Sequence, residues 1–196
     1  PGGKGWQIML ALGQIVQETK NNCVMLFNYE KFIKPNMQKI LGNNQVFQIQ
    51  VTYKLDGKDT PLTDMWSNKP VLKAEFMQKI IKKYKECKKK KMMLIIPVTL
   101  RFEKKPGEFS QHRNLLLFNY ARNEIEWFEP HGDSLRVGTP EYRKKLNSYT
   151  LRKMQDFVKF FNLVNNKPPL MRLFSPPDLC PLKVRKEYFS LQSLEH

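Results

Sequence analysis

The sequence predicts an α+β domain with a mainly antiparallel central sheet flanked by helices. Three observations predict it. Strand-length apolar segments cluster between Met93 and Glu129. Segments of helical period lie on either side of that cluster. The links inside the cluster are short, as in hairpins.

The first 45 residues are the least patterned. Trp6 to Gln17 reads as a mostly apolar helix, and Val24 to Phe27 as a short apolar run, strand or helix. Tyr29 to Leu41 has helical spacing interrupted by Pro35. Val46 to Leu55 (VFQIQVTYKL) alternates apolar and polar residues, as a half-buried strand does. Asp56-Gly57 is a turn signal, and Asp59 to Pro70 reads as a loop.

Val71 to Lys85 predicts a helix, because Leu72, Phe76, Ile80 and Tyr84 recur every four residues. Met93 to Phe102 (MLIIPVTLRF) reads as a buried strand, and Pro97 within it argues for an edge or a bulge. A polar loop is expected at Glu103 to Gln111. Asn114 to Tyr120 and Ile125 to Glu129 follow as a hairpin turning at Arg122-Asn123. Thr139-Pro140-Glu141 then opens a helix, with an N-cap, a proline at the first position and an acid in the first turn. Leu146, Tyr149, Met154, Phe157, Val158 and Phe161 would face inward, and the helix would run to about Val164. Leu170 to Phe174 is a candidate last strand.

Hydrophobic residues make up 41% and aromatics 12%, which supports a packed core and excludes a wholly disordered chain. The chain reads as one domain over 1–193, with a helical and strand part at 1–91 and a strand-rich part at 92–193. It starts without Met, as an internal fragment or processed product would. Leu194-Glu195-His196 resembles an expression-tag remnant. No apolar run is long enough for a transmembrane helix. Three scattered cysteines, Cys23, Cys87 and Cys180, fit neither a disulfide framework nor a metal site, and suggest a reducing compartment. No cofactor motif is present.

The formal net charge is +16. Eight lysines and one acid lie between Lys79 and Lys91. Lys82, Lys83, Lys85, Lys88, Lys89, Lys90 and Lys91 read as a solvated helix face and charged loop, or as a docking patch for nucleic acid or an acidic partner. A lysine run without arginine suits phosphate attraction better than base reading.

One pair of residues points to chemistry. His112 is expected at the start of one strand of the hairpin and Glu129 at the end of the other, 17 residues apart. The two ends lie side by side, so the side chains can meet. A carboxylate beside an imidazole fixes its tautomer, and a His so held can serve as a general base toward a thiol or hydroxyl. The alternatives are a loop cap for His112 and an ordinary surface pair for Glu129. His131 is a turn residue or a further polar group of the site. With His112, Asn114 and Glu129 it makes no recognisable metal set, so no metal is expected.

The stretch IIPVTL…HRNLLLFNYARNEIEWFEPHG resembles a protein family of large nucleocytoplasmic DNA viruses, whose pattern is roughly I-P-(I/V)…H-x-N-x-L-I…I-E-x-F-E-P-H-G. That family is in turn distantly similar to SUMO/ubiquitin-like-specific and adenoviral cysteine proteases. The resemblance covers roughly Met92 to Gln192. It is specific only at His112, Asn114 and Phe128 to Gly132. It implies an adenain-like fold with His112 as general base and Glu129 as orienting acid. It also implies a viral or host protein partner and a place in the host cytoplasm or virion, not secretion. The sequence departs from the pattern where the nucleophile belongs, because no Gly-x-Cys turn opens a late apolar helix. Cys180 is the only late cysteine, and Gln192 would donate to an oxyanion only with a Cys just beyond it. The implied function is therefore a protease-like domain that is catalytically incomplete as it stands, acting in binding or assembly unless a nucleophile follows. The alternative is a basic viral protein that binds nucleic acid non-specifically.

Overall fold

The computed structural model describes residues 23, 47–65, 67–129 and 138–175. The expected helices and run between Trp6 and Leu41 lie outside them, as do His131, Cys180 and Gln192.

The elements in order are β1 (Ile49–Tyr53), β2 (Thr63–Asp64), α1 (Ala74–Lys89), β3 (Leu94–Lys105), β4 (Glu108–Asn119), β5 (Glu124–Phe128), α2 (Pro140–Asn165) and β6 (Arg172–Phe174). The strands form one six-stranded sheet in the order β2-β1-β3-β4-β5-β6. The class is α+β, but the sheet is mixed and not mainly antiparallel. β1 runs parallel to β3, and β5 parallel to β6. Each parallel pair is joined through a helix, which supplies the length of chain needed to return in the same direction. Both crossovers step the same way across the sheet. One handedness therefore puts both helices on one face. Tyr84 of α1 and Phe157 and Phe161 of α2 all meet Phe118 of β4 on that face.

Helix α1 starts three residues later than its pattern and runs four residues further, so the first lysines of the run are helical. Met77, Ile80, Ile81, Tyr84 and Cys87 form its buried side. Helix α2 begins as expected, with the Thr139 hydroxyl accepting from the Tyr142 amide at 3.2 Å. The six residues expected to face inward are buried. Asn166, in the left-handed region at φ 44°, ends it.

The expected polar loop at Glu103 to Gln111 is mostly ladder. β3 and β4 pair from Leu94↔Phe118 to Lys105↔Glu108 and turn on Pro106-Gly107, with Gly107 at φ 79°. This part of the hairpin is polar because it projects beyond the core, so periodicity alone reads it as a loop. Pro97 is also corrected: β3 is a central strand, and its bulge lies between Glu103 and Lys105. The Ile95 amide donates to the Cys23 carbonyl and so points away from β4. Pro97, two residues on, lacks its donor on that same side, before β1 joins at Val98. The β4 ladder loses nothing.

Cys23 and Cys87 are joined in a disulfide with both residues buried. This overturns the reading of unpaired cysteines and runs against a reducing compartment. Nothing local in the sequence signals a link across 64 residues. Closing such a loop stabilises the fold by about 4 kcal/mol in the chain-entropy account.

Candidate active site

His112 lies inside β4 and not at its start, because the strand begins at Glu108. It pairs with Leu100 of β3. The last β4·β5 pair is Leu115↔Phe128. One step further, Glu129 falls opposite Asn114, with His112 as the diagonal neighbour on the same face. The strand period puts His112, Asn114, Leu116 and Phe118 on that face, beside Trp127 and Glu129. It is the face that carries the helices.

The expected pair forms. His112 Nε2 lies 2.5 Å from Glu129 Oε1, and the two side chains are 12% and 3% exposed. The Trp127 indole N–H donates to Asn114 Oδ1 at 2.6 Å, with both residues buried. Four residues of the HRN and EWFE segments thus make two side-chain contacts at one end of the sheet. The structural part of Trp127 was missed in the sequence. The signal was there, since alternation along β4 and β5 puts Trp127 and Asn114 on the face of the His–Glu pair.

The contact constrains the tautomer of His112. A carboxylate only accepts, so the His nitrogen facing it carries the proton. In that tautomer the lone pair lies on Nδ1. Both described cysteines are in the disulfide, which leaves Cys180 as the remaining thiol of this sequence. Among the described residues no three His, Cys, Asp or Glu side chains converge as a metal site requires.

The lysine run divides into several environments. Lys82, Lys85, Lys88 and Lys89 are exposed on α1. Lys83 is half-buried, and burial holds its ammonium below the usual lysine range. Lys90 caps the helix, and Lys91 turns the chain at φ 57°. Among the described residues the run is thus spread over the exposed face of α1, its cap and the turn that follows.

Comparison with protein-family models, curated proteins and solved structures finds no match. Among the described residues no helix is long and apolar enough to cross a membrane.

Proposed function

We propose that this chain carries a cysteine-protease-like domain of a large-DNA-virus protein, with His112 as general base and Glu129 as its orienting acid. The observation that supports it best is the 2.5 Å contact between His112 Nε2 and Glu129 Oε1 at the end of the β4–β5 pair. The reaction class is acyl transfer from a peptide or isopeptide to a thiolate. His112 takes the thiol proton and later returns it to the leaving amine, and Glu129 stabilises the imidazolium between those steps. The thiol would be Cys180 or one in a longer form of the chain.

The test is the rate of Cys180 alkylation by an iodoacetamide fluorophore near neutral pH, read by peptide mass spectrometry. A thiol activated by His112 loses about 10-fold or more in rate in His112→Ala, and less in Glu129→Gln. The same comparison on a chain extended past Gln192 covers a later cysteine. Rates equal to the wild type in both variants remove the catalytic reading. They leave a protease-like domain that acts in binding or assembly, a role favoured by the pairing of both described cysteines. The charge of +16 supports a further alternative, non-specific attraction to nucleic acid.

A further inference from the structure

We propose that the groove between α1 and the end of α2 docks an acidic, amphipathic segment of a partner protein. The groove is open to solvent, has a volume of about 470 Å³ and is lined by Gln78, Ile81, Lys82, Lys85, Glu86, Lys89 and Val164. Lys82, Lys85 and Lys89 follow at spacings of three and four, so one helix face carries all three along about 10 Å. Among the described residues none of the three is in an ion pair. The charge they present is therefore not consumed within the described fold.

The floor has the opposite character. Ile81 is buried and Val164 is half-buried. A cationic rail over an apolar floor matches a helix with carboxylates on one flank and aliphatic side chains beside them. Carboxylates at i, i+3 and i+7 on such a helix would meet the lysines at their own spacing. A nucleic-acid strand fits less well. No arginine or aromatic ring lines the groove to read or stack a base, and Glu86 repels phosphate from within the wall. The groove involves neither His112 nor Glu129, so the proposal stands or falls separately from the catalytic one.

The probe is a fluorescein-labelled helical peptide of about 16 residues, glutamate on one face and leucine on the other, followed by anisotropy at roughly 50 and 150 mM salt. The groove variant is Lys82→Glu/Lys85→Glu/Lys89→Glu. The control, Lys104→Glu/Lys105→Glu/Lys144→Glu, makes the same charge change at exposed lysines elsewhere. We expect the groove variant to weaken binding about 10-fold or more, the control about twofold or less, and Val164→Ser a few-fold. Equal losses in groove and control variants mean diffuse charge attraction and overturn the proposal. So does a failure of the peptide to bind at about 100 μM. A 20-nucleotide single strand that outcompetes the peptide, and itself loses affinity in the groove variant, makes the groove a nucleic-acid surface and overturns it too.

Discussion

One sheet face has two unlike ends. At Phe118 it is sealed by rings: Tyr84, Phe157 and Phe161 stand 5.5–6.3 Å from Phe118 between centroids. Roughly 20 Å back along the same strand, the same face carries His112 and Asn114, with Glu129 beside them. The first end asks little polar satisfaction: the Tyr84 hydroxyl donates to Met171 Sδ at 3.5 Å. The second buries polar atoms that cost free energy unless each finds a partner. Packing alone would favour apolar side chains at both ends. The difference supports the view that the polar end is kept for its chemistry and the aromatic end for stability.

The largest expected effect is at the aromatic end. Phe118→Ala opens a cavity among three rings and should cost about 4 kcal/mol in urea unfolding at pH 7. A loss under about 1 kcal/mol would mean that the aromatic end is not the anchor. The polar end should behave as a coupled pair. His112→Ala and Glu129→Ala should each cost about 2 kcal/mol, and the double variant should show a coupling of about 1 kcal/mol or more. Additive losses would reduce the pair to two independent residues and weaken the proposed role with it. Trp127→Phe comes next, at about 1–2 kcal/mol, because it leaves Asn114 Oδ1 buried without its donor. Asn114 Nδ2 already lacks a partner among the buried side-chain atoms. Adding Asn114→Leu to Trp127→Phe should therefore recover much of the loss, which melting curves of the three proteins would check.

The two ends were not equally legible in sequence. The aromatic end follows from periodicity: Tyr84, Phe157 and Phe161 lie at helical spacing, and Phe118 in a strand-length apolar run. The contact of His112 with Glu129 was also legible, because hairpin geometry brings those positions together whichever residue starts the strand. What sits around them was not. The start of β4 was misplaced, because its first residues are polar apart from Phe109 and hydrogen-bond outside the core. The parallel pairs escaped notice because strand order depends on which way a helix crosses over, not on the period of any segment. The disulfide escaped because its cysteines share no local pattern. β2 is two residues long, too short for alternation to register.

A third polar contact on α2 tests how far the contrast extends. Lys153 is buried, and its ammonium lies 2.6 Å from the carboxylate of Asp59, whose side chain is 59% exposed. Here the cation is the buried partner, whereas at the sheet end the buried partner is the carboxylate. The Lys153 hydrogen bond holds the Asp59 carboxyl below its ordinary value, with Arg152 adding to the effect against a desolvation penalty. A carboxyl depressed by folding stabilises the fold above its unfolded value near 4 and loses that contribution as pH falls through the folded value. Asp59→Asn should thus cost at most about 1 kcal/mol at pH 7, small because solvent screens the exposed carboxylate. The wild-type and variant unfolding curves should converge as pH falls below the unfolded value and through the lower folded one. A gap that persists at the lowest pH where both proteins still fold would trace the loss to packing. A gap absent at pH 7 would show Lys153 to be served by solvent, and would set it apart from His112–Glu129, whose two side chains are both shielded.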